Sequence, residues 1–131
     1  MTGLASPTLG KRERIVSRKL IELLFSKGCN RTLSAFPLRI VFMVKTREEN
    51  EEPVQILVSV SKRHFKRAVK RNRVKRQIRE AYRHHKTILA EKIVEDKSLA
   101  IAFVWQADEL YDSQQVERCV EKLLGKVAEC V

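Results

Sequence analysis

The chain has 131 residues, a hydrophobic fraction of 44% and a formal net charge of +11, from 27 Lys and Arg against 16 Asp and Glu. That length suits one domain with a real core, and that charge calls for a polyanionic partner, nucleic acid before an anionic membrane. The longest apolar run, Leu99 to Trp105, is far too short to span a bilayer, and the opening MTGLASPTLGKRER has no signal-peptide core, so a cytoplasmic protein is expected.

In chain order, residues 1–14 read as a flexible basic lead-in and 15–131 as a single α/β domain. In SRKLIELLFSKG, Ser17 can cap a helix over about 18–27, Leu20, Leu23 and Leu24 share a face, and Gly28 suits the stop. Residues 38–45 (LRIVFMVK) and 54–60 (VQILVSV) are rich in β-formers, and the polar TREENEEP between them suggests a hairpin with a charged loop tip at 48–52. There is room for a further strand near 31–37.

After the basic stretch from Ser61 to about Lys92, SLAIAFVW reads as a buried strand. Val116, Cys119, Val120, Leu123, Leu124 and Val127 then mark an amphipathic helix capped by Asp112 or Ser113 and weakened by Gly125. The fold class expected is α+β, a two-layer α/β sandwich in the order α-β-β-β-α-β-α.

Cys29, Cys119 and Cys130 are an odd set without metal-ligand spacing and read as reduced thiols. With only His64, His84 and His85 beside them, no metal site is expected on the chain.

The basic stretch is sharply patterned. From Lys62 to Lys86 the bases are Lys62, Arg63, Lys66, Arg67, Lys70, Arg71, Arg73, Lys75, Arg76, Arg79, Arg83 and Lys86, against one acid, Glu80. Like charges at i,i+3 and i,i+4 destabilise an isolated helix, so burial of one face and a polyanion on the other must offset them. Helical phase supplies both faces. Val74, Ile78, Ala81 and Tyr82 share one side, and Asn72, Lys75, Arg76, Arg79 and Arg83 share the other. A merely solvated helix would mix its signs, whereas arginines offer planar bidentate donors to phosphate. Asn72 can steady neighbouring arginines or read a backbone or base edge. Phe65, Ala68 and Val69 fall out of phase with the apolar stripe, so the helix start must pack differently.

SVSKRHFKRAVKRNRVKRQIREAYR closely resembles the signature of the protein subunit of bacterial ribonuclease P. The matching positions are Ser61-Lys62, Ala68-Val69, Arg71-Asn72-Arg73, Lys75-Arg76 and Arg79-Glu80. LIELLFSKG resembles that family's first helix and FPLRIVFMV its first strand; the departures are RHFKR, where many members have a glycine-containing turn, and Ile21, where many have an aromatic.

The resemblance implies a left-handed β-α-β crossover carrying the arginine-rich helix. It also implies an accessory role in endonucleolytic removal of the 5′ leader from precursor tRNA, with no catalytic residue on the protein. The catalytic site would lie on the RNA subunit, which would also hold most of the Mg2+. Lys66, Arg67, Lys70, Arg71, Asn72, Arg73, Lys75, Arg76, Arg79 and Arg83 would bind that RNA, and Phe25, Phe42, Lys62 and Arg63 the single-stranded leader. Stacking on aromatics suits such a strand, at roughly 1–3 kcal/mol per base without sequence demand. The implied partners are the catalytic RNA and precursor tRNA, with no membrane and no obligate protein partner.

Three other readings compete. A protein-only nuclease could draw on His64, His84, His85, Asp96 and Glu80, but no spacing unites them. A structural RNA-binding protein fits the composition equally well, and only the signature argues against it. A DNA-binding regulator would need a helix-turn-helix partner for the basic helix.

Overall fold

The computed structural model describes residues 14–15, 18–26, 31–49 and 52–131. The elements are α1 (Arg18–Phe25), β1 (Arg31–Ala35), β2 (Leu38–Thr46), β3 (Val54–Ser59), α2 (Ala68–His85), α3 (Thr87–Ala90), β4 (Lys97–Trp105) and α4 (Ser113–Cys130). The expected lead-in at 1–13, the Ser17 cap, the Gly28 stop and Cys29 lie outside the described residues.

The four strands form one mixed sheet in the order β1-β2-β4-β3. β2 runs antiparallel to both β1 and β4, and β4 runs parallel to β3. The expected hairpin between residues 38–45 and 54–60 is therefore corrected: β4 inserts between those two strands. Its run of small and β-branched residues is buried on both faces, which suits a central position and not an edge. The acidic loop thus spans one strand position, and β3 reaches its parallel neighbour β4 through the α2–α3 crossover.

Strand alternation divides the core in two. On one face Leu38, Ile40, Phe42, Val54, Ile56, Val58, Leu99, Ile101, Phe103 and Trp105 meet the apolar stripes of α2 and α4. On the other, Val41, Ala100 and Ala102 receive α1 through Leu24, flanked by Leu20 and Ile21. The two alanines of β4 leave room for that short helix. The expected role of Leu23 in its face is corrected: the contact strip centres on Leu24, and Leu23 falls on the side turned from the sheet, 40% exposed.

α2 forms despite its charge because its inner stripe is buried. Val74, Ile78, Ala81 and Tyr82 are at most 3% exposed. Burying a large apolar side chain contributes about 1.5–3 kcal/mol, whereas each like-charge helical pair costs only about 0.2–0.5 kcal/mol. α4 begins with a full capping box, the Asp112 carboxylate accepting from the Gln115 amide at 2.8 Å and the Gln115 side chain accepting from the Asp112 amide.

Candidate nucleic-acid interface

The entry to α2 is built by a turn and an anchor. Ser61 accepts from the Arg63 amide at its hydroxyl (3.1 Å) and from the His64 amide at its carbonyl (3.1 Å), closing the turn after β3. Phe65, 5% exposed, then plugs into the main core, while Ala68 and Val69 stay exposed, Val69 at 78%. This is the different packing that the phase break at Phe65, Ala68 and Val69 implied. His64 Nδ1 lies 2.7 Å from the Asp108 carboxylate and ties the turn to the segment before α4.

The first turn of α2 has no acidic residue and no side-chain cap. Its free N–H groups and positive dipole end stand beside exposed Lys66, Arg67 and Lys70, an arrangement that favours an anion such as phosphate. Arg71 is partly used within the fold, its Nη1 donating to the carbonyls of Phe65 and Lys66 at 2.8 Å each. Farther along, Asn72, Arg73 and Arg76 are exposed, and Lys75, Arg79 and Arg83 are half-buried. Arg83 pairs with Glu80 one turn back.

Arg14 bridges to Ile56 along the outer edge of β3, and Ile15 inserts into the smaller core. This brings Arg14 near Arg79, whose guanidinium is held below its ordinary value by burial first and by the Arg14 charge second. Arg14 was not among the residues singled out in the sequence, where nothing signals its pairing with a strand more than forty residues away.

The four leader candidates do not form one site. Phe25 is 45% exposed on α1, and Lys62 and Arg63 are exposed in the turn after β3. Phe42 is 2% exposed among the residues beneath α2 and α4, on the opposite sheet face from α1. Its expected place with Phe25 is corrected, because strand parity puts Val41 and Met43, not Phe42, on the α1 side. The partly buried apolar residues packed on that side include Met43 and Leu57.

The histidines meet carboxylates of other segments. His84 Nδ1 lies 2.7 Å from Glu117 and His85 Nδ1 lies 3.4 Å from Glu121, which ties the end of α2 to α4. Among the described residues no group of three or more His, Cys, Asp or Glu is arranged to hold a metal ion.

The basic helix α2 lies in the β3–β4 crossover, where the sequence signature put it, and α1 with Phe25 packs on the other face of the sheet. The family model for ribonuclease P matches residues 9–128. The chain belongs to the ribonuclease P protein family. It is 42% identical over 129 residues to the ribonuclease P protein component of Porphyromonas gingivalis, covering 98% of this chain and 92% of that one. A second relative, the ribonuclease P protein component of Chlorobium phaeobacteroides, is 42% identical over 89 residues, covering 66% of this chain and 59% of that one.

Solved ribonuclease P proteins share the fold. A mutant from Staphylococcus aureus superposes with a TM-score of 0.68 at 22% identity, over 91% of this chain and 90% of that one. The protein from Thermotoga maritima gives 0.65 at 20% identity, over 87% and 96%. Within the ribonuclease P frame, Arg71-Asn72-Arg73 occupy the first two turns of α2, with Asn72 exposed beside Arg73 and Arg71 turned back to the helix entry.

Proposed function

We propose that this chain is the protein component of ribonuclease P, the ribonucleoprotein endoribonuclease that frees the 5′ end of tRNA, and that it partners the ribonuclease P RNA. The observation that carries the reading, beside family membership, is the outer face of α2. Arg73, Arg76 and Asn72 project from a helix whose opposite face is locked into the core, and neither arginine has an ion-pair partner among the described residues. Arginines presented from a fixed helix suit an RNA backbone, since the planar fork loses less entropy per hydrogen bond than a flexible ammonium does.

In this reading Lys66, Arg67, Lys70, Arg73, Lys75, Arg76 and Arg79 neutralise phosphates of the RNA subunit. Phe25 offers a stacking platform to the leader of precursor tRNA, and Lys62 and Arg63 draw that strand in. The protein lowers repulsion between leader, RNA subunit and Mg2+. The Mg2+ is assigned mainly to the RNA, as the resemblance implies. No helix among the described residues is long and apolar enough to cross a membrane. The cytoplasm, where tRNA precursors are matured, is the proposed site of action.

The test is reconstitution. Protein, a bacterial ribonuclease P RNA and a precursor tRNA are mixed at low Mg2+, with each macromolecule omitted in turn. Leader release in the full mixture alone is expected. Release by the protein alone would move catalysis onto the chain. No release, with an RNA that works beside another bacterial subunit, would leave a family fold without the activity.

A further inference from the structure

Arg83 stands two helical turns beyond Arg76 on the outer side of α2, but it is turned back onto its own helix. Its Nη2 pairs with the Glu80 carboxylate one turn earlier and donates to Nε2 of the adjacent His84 at 3.2 Å. His84 Nδ1 lies 2.7 Å from the Glu117 carboxylate of α4, and its Nε2 lies 3.8 Å from Glu80.

These partners fix the form of the imidazole. A guanidinium only donates and an ionised carboxylate only accepts, so Nε2 keeps a lone pair for Arg83 and Nδ1 carries the ring proton for Glu117. His84 is neutral while Arg83 stays there. The other charged groups about it are Arg73 and Arg76, which line the same cleft between α2 and α4, and His85, whose Nε2 lies 3.5 Å from Glu117 and whose Nδ1 lies 3.4 Å from Glu121. The helix seam does not rest on Arg83. Two turns before His84, buried Gln77 donates to the Tyr111 carbonyl (3.0 Å) and the Ser113 hydroxyl (3.2 Å), which keeps α2 on α4 if Arg83 moves.

An exposed ion pair within one helix is weak, so an RNA phosphate can draw Arg83 away from Glu80. That departure leaves Glu80 as an uncompensated anion facing a polyanion, with the free Nε2 lone pair beside it. One proton from solvent repairs both. Bound at Nε2, it makes His84 an imidazolium between Glu80 and Glu117.

We infer that Arg83 is an RNA contact held in reserve: it exchanges Glu80 for a phosphate of the RNA subunit while His84 takes up one proton and replaces it. The inference rests on the ribonuclease P reading and couples RNA binding to pH in the range where imidazole changes charge. The complex holds one proton more than the separate partners, so binding tightens as pH falls.

The test is the affinity of the whole protein for a bacterial ribonuclease P RNA, measured at fixed ionic strength from pH 8 to pH 6. A proton held about tenfold more tightly in the complex strengthens binding roughly fivefold over that interval. His84→Gln keeps a donor and an acceptor but cannot take the proton, and should flatten the rise. Arg83→Gln should flatten it too, since nothing remains to exchange, and should lower the slope of log K against log salt by roughly 0.7–0.9 at pH 6. A flat wild-type profile, or a rise that survives in either variant, would overturn the inference; survival in Arg83→Gln would mean that phosphates act on the imidazole without any exchange. Leader cleavage in the same mixtures separates the two claims. Cleavage with a flat binding profile removes the exchange alone. A rise that both variants abolish, without cleavage, keeps the exchange and removes the ribonuclease P activity. No binding by the wild type removes both.

Discussion

The Arg71 guanidinium holds the backbone carbonyl of Phe65 at 2.8 Å, and the same Nη1 reaches the Lys66 carbonyl at 2.8 Å. The residue in the middle of the most basic stretch is therefore also the clasp that fixes the entry to α2. Replacing Arg71 by Ala leaves a part-buried carbonyl without its charged donor, at a cost of about 1–3 kcal/mol. The exposed neighbour Arg73 makes no such bond, and Arg73→Ala should stay within about 0.5 kcal/mol of the parent. Urea unfolding with unchanged m-values would check this; equal midpoints for the two variants would remove the clasp.

Arg76 and Arg79 test the phosphate-binding face. Each should weaken RNA-subunit binding when changed to Ala, and each lost phosphate contact should lower the slope of log K against log salt by roughly 0.7–0.9. Lys122→Ala, on the exposed side of α4, should leave the slope unchanged. The measurement is a filter-binding titration from low to high salt, and a slope unaltered by the two arginine changes would contradict the assignment.

Phe25 and Phe42 should part company. Phe25→Ala removes an exposed ring, so stability should barely move, while discrimination between precursor and mature tRNA falls about 5- to 150-fold, the worth of one stacked base. Phe42→Ala opens a cavity in the main core and should cost about 3–5 kcal/mol. Thermal unfolding beside paired affinities for precursor and mature tRNA checks both. A large stability loss at Phe25, or none at Phe42, would reverse their placement.

That contrast marks how far the sequence could be read. Periodicity found both faces of α2, every inward residue of the α4 stripe and the strands, because each depends on neighbours within a few turns. Strand order depends on what lies between two strands in space. The polar loop after β2 looked like a hairpin tip, and only the doubly buried character of β4 hinted that it belonged at the centre. Phe42 shares its strand face with Leu38 and Ile40, so its side was legible. The packing of α2 and α4 on that side, and of α1 on the other, was not. Gln77 had a readable signal, since it stands i+3 from Val74 and i−4 from Ala81 at the margin of the buried stripe. Its meaning as a polar group at a helix–helix seam needed α4 in place.

Within α4, two substitutions should act in opposite directions. Asp112→Ala removes the capping box and should cost about 1 kcal/mol. Gly125→Ala should stabilise by roughly 0.5–1 kcal/mol, because a Cβ built there meets nothing within 4 Å. Chemical denaturation of both variants checks the pair. Destabilisation by Gly125→Ala would mean that the helix needs the glycine for a close approach.

Cys119 gives the fold a pH dependence of known sign. Burial first pushes its thiol above the ordinary range, against smaller opposite influences from a backbone hydrogen bond and the Lys122 charge. Its Sγ donates to the Ala35 carbonyl at 2.9 Å, linking α4 to β1; a thiolate would lose that bond and face the oxygen as an unsolvated anion. Folding thus favours the protonated thiol. The resulting stability is fully present below the unfolded thiol's pKa and is lost as pH rises through the higher folded value. Cys119→Ser, whose hydroxyl stays protonated across that range, should flatten the alkaline fall in unfolding free energy relative to the parent. In a Cys29→Ser background, maleimide at neutral pH should label exposed Cys130 first and Cys119 only on unfolding. Equal labelling rates in the native state, or an identical alkaline fall in both proteins, would mean that the thiol is not held between α4 and β1.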